Sequence, residues 1–161
     1  MTATYEPIST QTLGTAVASV TFSSIPATYT DLVLVFNGTS ASAQFMELRF
    51  NGDTATNYSQ TRLTGNGTSA SSDRTSTQDV MQVGNLHTDQ TINIIQVMNY
   101  SNATTYKTVL CRSNNAGAQV SARVGLWRKT PEAITTILVR PAGGANFSIG
   151  GVFTLYGIKA E

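Results

Sequence analysis

The sequence predicts an all-β fold, an antiparallel β-sandwich or jelly roll of about ten strands, on three observations. Apolar residues recur with a period of two nearly everywhere. Turn-forming pairs, above all Asn37-Gly38, Asn51-Gly52 and Asn66-Gly67, punctuate the chain at short intervals. No window of ten or more residues carries a 3.6-residue apolar period, so nothing supplies helical crossovers between strands.

Taken in order, residues 16–22 (AVASVTF) alternate, with Ala16, Ala18, Val20 and Phe22 on one face. Residues 31–37 (DLVLVFN) are continuously apolar between polar ends, the pattern of a strand covered on both sides. In 44–50 (QFMELRF), Met46, Leu48 and Phe50 oppose Phe45, Glu47 and Arg49, and the following Asn-Gly favours a strand over a short helix. Residues 58–63, 78–83, 92–100 and 106–112 read as four more strands. The cleanest alternation is 119–128 (QVSARVGLWR), which predicts Val120, Ala122, Val124 and Leu126 pointing inward. Residues 133–140 and 152–158 complete the set, and 141–145 (PAGGA) reads as a turn. Pro26 and Pro131 stand before or between strands, where a missing N–H does least harm. About 14 residues ahead of the first strand read as a short N-terminal arm. Residues 64–77 hold no large apolar side chain and read as a long Gly/Ser/Thr loop. Such a loop is either a plain surface loop or an arm that orders against a neighbouring subunit or receptor. Its candidate contact residues are Asn66, Ser69, Asp73 and Arg74. With no internal repeat and no composition break, 1–161 reads as one domain.

Charged residues make up 12% of the chain, about half the usual share, and the formal net charge is +1. With 25 Thr, 15 Ser and 11 Asn, the surface is covered by uncharged polar groups. No concentrated basic face exists to capture nucleic acid or an anionic membrane. The 40% hydrophobic content excludes charge-driven disorder. A single cysteine, Cys111, excludes an intrachain disulfide. No signal-peptide pattern opens the chain, and its apolar runs fall far short of the roughly 20 residues that span a bilayer. Synthesis in a cytoplasm is expected, so the six Asn-x-Ser/Thr sequons carry little meaning.

Residues that carry chemistry are sparse. His87 is the only histidine, which excludes a multi-His metal site, and Cys111 reads as a small buried hydrophobe. Asp53, Asp73, Asp79 and Asp89 fall in loops or at strand edges without the spacing of a calcium loop. Glu47 and Asp53 are the only pair a hydrolase reading would nominate. The doublets Gly143-Gly144 and Gly150-Gly151 lack the strand–helix context of a phosphate loop. No catalytic residue, metal site or cofactor is expected. The basic cluster of Arg123 with Trp127-Arg128-Lys129 reads as core or subunit interface rather than ligand contact. Phe45, Trp127, Arg128, Ile137 and Val139 are the candidate interface residues.

Three segments resemble a group of small structural proteins of tailed-bacteriophage virions. They are 21–35 (TFSSIPATYTDLVLV), 48–59 (LRFNGDTATNYS) and 125–161, the ending FTLYGIKA (153–160) being the most specific. The resemblance implies a non-enzymatic protein on the virion exterior, made in the bacterial host cytoplasm. It implies a homotrimer packed on the major capsid protein or on tail proteins. Two placements follow, a capsid decoration (cement) protein that stabilises the head, or a tail-fibre module that contacts a host-surface glycan. Room for only a short arm before the first strand favours decoration. A free-standing carbohydrate-binding module, stacking sugars on Trp127, Tyr58, Tyr100 and Tyr106, is the reading from another class.

Overall fold

The computed structural model describes residues 4–115 and 119–159. Twelve strands form two antiparallel sheets packed face to face, as expected for a β-sandwich. In chain order these are β1 (Tyr5–Thr12), β2 (Val20–Phe22), β3 (Asp31–Gly38), β4 (Gln44–Phe50), β5 (Tyr58–Gly65) and β6 (Ala70–Gln78). There follow β7 (Met81–Leu86), β8 (Thr91–Met98), β9 (Lys107–Asn115), β10 (Gln119–Trp127), β11 (Ile137–Pro141) and β12 (Val152–Ile158). The large sheet has the order β1-β12-β3-β8-β9-β10-β5-β6 and the small sheet β2-β11-β4-β7. No helix among the described residues is long and apolar enough to cross a membrane.

The core lies where the two sheets meet. Met46, Leu48 and Phe50 from β4, with Ile137 and Val139 from β11, face Leu34, Phe36, Ile95, Val109 and Leu155 of the large sheet, all fully buried. Phe36, Phe147 and Phe153 form an aromatic cluster with ring centroids 4.5–5.3 Å apart. Burial alternates along β4, β8 and β12, and in β4 the expected face of Met46, Leu48 and Phe50 is the buried one.

Elsewhere the structure corrects the expected elements. The N-terminal arm contains β1, which closes one edge of the large sheet against β12. Its Pro7 sits at a bulge on that edge, one of the few places a strand tolerates proline. The 64–77 loop is the second half of a hairpin, β5–β6, turned at Asn66-Gly67. Asn66 Oδ1 accepts from the backbone N–H groups of Thr68 and Ser69, which supplies the turn. Asn51 and Gly52 both adopt positive φ (49° and 66°), as a type I′ turn requires. Asn37-Gly38 instead ends β3, where a Cβ on Gly38 would stand 2.8 Å from the Gly151 backbone. The run 133–136 forms no ladder because Asn51 takes its hydrogen bonds. Asn51 Nδ2 donates to the Ala133 carbonyl at 2.8 Å, and its Oδ1 accepts from the Thr135 and Thr136 N–H groups.

The largest correction concerns β10, whose phase is the reverse of the expected one. Ser121, Arg123, Gly125 and Trp127 face the core, while Val120 and Val124 are 61% and 53% exposed. Trp127 decides the phase. Its ring packs against Phe50 and Tyr58 at centroid distances of 5.3 and 6.3 Å, and its indole N–H donates to Asp53 Oδ2 at 2.7 Å. Gly125 then faces Met81, where a Cβ would meet its sulfur at 2.2 Å.

Two outcomes follow for this anchor. Trp127→Ala costs about 3–5 kcal/mol of unfolding free energy, as removal of a core aromatic does, measured by urea denaturation; a loss under 1 kcal/mol would show that Trp127 does not set the core. Burial alone pushes the Asp53 carboxyl up, but donors from Asn57, Trp127 and Ala55 outweigh it and hold the carboxyl below its ordinary 3.8. A carboxyl depressed on folding adds stability that is full above about pH 4 and is lost as pH falls through the folded value. Asp53→Asn is therefore less stable than wild type at pH 7 and loses less on acidification from pH 5 to pH 3. Equal acid losses in the two proteins would remove Asp53 from this role.

Candidate functional site

Once Trp127 sets the phase of β10, both faces of the large sheet are determined. On the inner face Arg123, 2% exposed, lies 4.9 Å over the Phe45 ring. Its Nη2 donates to Asn85 Oδ1 at 2.6 Å, while Nε and Nη1 have no hydrogen-bond partner among the described residues. Arg62, directly opposite on β5, shares the same ring at 4.8 Å and pairs with Asp73 at 2.7 Å. Ser121 and Ser113 hydrogen-bond each other at 2.7 Å, so this end of the interior is polar. Burial, and secondarily Arg62, lowers the Arg123 guanidinium to about 10, still charged at neutral pH. Burial likewise pushes the Cys111 thiol up to about 12, which keeps it protonated and inert.

The outer face carries the apolar residues that the inner face displaced. Strand register places Leu63, Ala122, Arg112 and Ile94 in one row across β5, β10, β9 and β8. The adjacent rows run Thr61, Val124, Leu110, Gln96 and Gly65, Val120, Asn114, Ile92. Leu63 is 59% exposed, Ile92 42% and Leu110 40%. Val120, Ala122 and Val124 adjoin Leu63 on β5 and Leu110 on β9 as one apolar patch, and Arg112 and Asn114 of β9 stand between it and Ile92 and Ile94 on β8. The β5–β6 hairpin borders it, leaving an open groove of about 850 Å³ between Leu63, Ala70 and Ser72 on one side and Ile92, Ile94 and Val120 on the other. No carboxylate stands on these rows.

The candidate interface residues fare differently. Trp127, Ile137 and Val139 are correctly seen as apolar, but all three are core residues of the protomer, 0–2% exposed. Trp127 of the large sheet and Ile137 and Val139 of the small sheet all point into the core between the two sheets. Phe45 is half-buried, its ring face occupied by the two arginines. Arg128 is half-buried just after β10, where its N–H donates to the Asn57 carbonyl. Asn66, Ser69, Asp73 and Arg74 do share one exposed hairpin, with Asp73 turned to Arg62. Tyr58, Tyr100 and Trp127 are buried, so they build no sugar-stacking platform; Tyr106 alone of that set is exposed.

The residues weighed for chemistry are occupied elsewhere. Glu47 accepts from Arg140 at 2.9 Å and Asp53 from Trp127 and Asn57. His87 meets Asp89 in the β7–β8 turn. Among the described residues, no group of three or more His, Cys, Asp and Glu is placed to hold a metal. The outer face itself was missed, though its signal was plain: the cleanest apolar alternation in the chain belongs to it.

What the fold defines as a class is a two-sheet antiparallel β-sandwich with an apolar outer sheet face. No family model matches the chain, and no curated protein and no solved structure matches it either.

The phase of β10 can be checked directly. Val124→Thr leaves the unfolding free energy of the protomer within about 0.5 kcal/mol, as a surface change does. Were Val124 inside, the same hydroxyl would be buried without a partner and cost about 1–3 kcal/mol.

Proposed function

We propose that this protein is a non-enzymatic structural component of a tailed-bacteriophage virion, acting as a decoration protein that stabilises the head from outside. The observation that carries the reading is the broad apolar outer face on an otherwise closed, charge-poor sandwich. A face of that kind is retained where a protein works by contact with other proteins. The resemblance of 21–35, 48–59 and 125–161 to virion structural proteins supplies the setting, with the major capsid protein as the partner. Few charges and abundant Thr suit a subunit packed in many copies, since near-zero net charge limits repulsion between neighbours. Trimeric association belongs to this reading through the same resemblance.

One observation favours the tail-fibre alternative. Strand β6 is exposed along nearly its whole length at the edge of the large sheet, and with the turn before it offers Asn66, Ser69 and Arg74 to a receptor or glycan. The two placements separate by copy number on a purified particle, counted by quantitative mass spectrometry and located by electron cryomicroscopy. Hundreds of copies on the head are expected. A handful at the tail tip would move the function to the hairpin, and a particle without the protein would overturn the virion reading.

A further inference from the structure

We infer that copies of this chain associate with one another through the outer face of β8–β10, with Val120, Val124 and Leu110 at the centre of the contact. The inference rests on reading the protein as a subunit of an assembly and names the surface that reading needs.

Area is the first argument. Leu63, Ile92, Leu110, Val120 and Val124 are each 40–61% exposed on the same sheet face, with Val124 directly opposite Leu110, and Met98 lies on that face of β8 at 38%. Together they leave on the order of 500 Å² of apolar surface, at the upper end of the largest patch on a lone monomer. A standard interface removes about 800 Å² per partner. In homodimers about 65% of that is apolar, again roughly 500 Å². The patch therefore matches what one self-association contact consumes.

Charge is the second. The β10 row of Val120, Ala122 and Val124 carries no charged side chain, while Arg112 stands beside it on β9, between Ala122 and Ile94, and Arg74 lies on the β6 edge. Interfaces have charge-depleted centres and are enriched in arginine. A patch that must meet a symmetry copy of itself, or of its neighbour in a ring, has to be self-compatible, and an uncharged apolar centre satisfies this where a charged one would face its own sign. The open, shallow shape also suits a second surface better than a small molecule, which a site encloses.

Analytical ultracentrifugation of the full chain tests this. The wild type is expected to sediment at two or three times 17.1 kDa. Val124→Lys weakens association at least about tenfold, while Ile149→Lys, at a residue 70% exposed and outside these strands, keeps the wild-type mass. Circular dichroism establishes that both variants fold. Val120→Cys supplies an independent reading, since mild oxidation then cross-links copies through that position. A wild type monomeric at every concentration, or an undiminished mass for Val124→Lys with no cross-link at position 120, overturns the inference. A monomer found in hundreds of copies on particles would sink this interface and leave the virion reading standing, and a stable oligomer absent from particles would do the reverse.

Discussion

The hydrogen bond from the Trp127 indole to Asp53 is the constraint on which the rest of this structure depends. It fixes the largest side chain in the protein between Phe50 and Tyr58, at the end of β10. A strand has no freedom to choose face by face, because each residue inverts the last. With Trp127 inside, Gly125, Arg123 and Ser121 must also be inside, and Val120, Ala122, Val124 and Leu126 must be outside. The buried arginine and the exposed valines are thus two results of one decision. Asp53 in turn holds its place through Ala55 and Asn57 in the β4–β5 connection, so the anchor joins the small sheet to the large one.

That decision carries a cost in the interior. A guanidinium without a carboxylate is expensive to bury, and Arg123 is tolerated through the Phe45 ring and the Asn85 amide. Ser113, Ser121 and Asn85 extend the polar patch, so one end of the sandwich is held by hydrogen bonds rather than by apolar packing. Replacing such a group by an apolar one is often neutral for stability in other proteins. Arg123 does not set the phase, since a one-residue slip would return its charge to water; the slip would also expose Trp127, and that cost holds the strand in register.

Much of this fold was legible from periodicity. The face of β4 follows its alternation because Met46, Leu48 and Phe50 give it one strongly apolar side, and β3 was legible as a strand from its apolar run. The strands that escaped notice did so for physical reasons. In β1, Pro7 breaks the pattern at a bulge, and β6 has two polar faces because nothing covers it on either side. In β10 the alternation was seen and its sign inverted. The rule that the apolar face points inward assumes a single buried face. Here the face set opposite the first core face held the one tryptophan, whose size outweighs two valines and an alanine in deciding what is buried. Trp127 was sent toward an interface by the same step, whereas Ile137 and Val139 belong to β11, where period two alone does not say which face the other sheet covers.

The inversion ties packing to function. Had β10 buried Val120 and Val124, the large sheet would present Ser121, Arg123 and Trp127 outward, a polar surface with one aromatic suited to a ligand. With the observed phase it presents an apolar strip along β10 with Arg112 beside it on β9, a surface that no monomer needs for its own stability. Water is the least favourable neighbour for that strip, and burial returns about 25 cal/mol for each Å² removed. A chain so poor in charge has few other means of holding partners. In the proposed self-association, specificity would come from shape and register, and a rigid antiparallel sheet offers both, because its exposed side chains stand at fixed spacings on a backbone whose hydrogen bonds are already made.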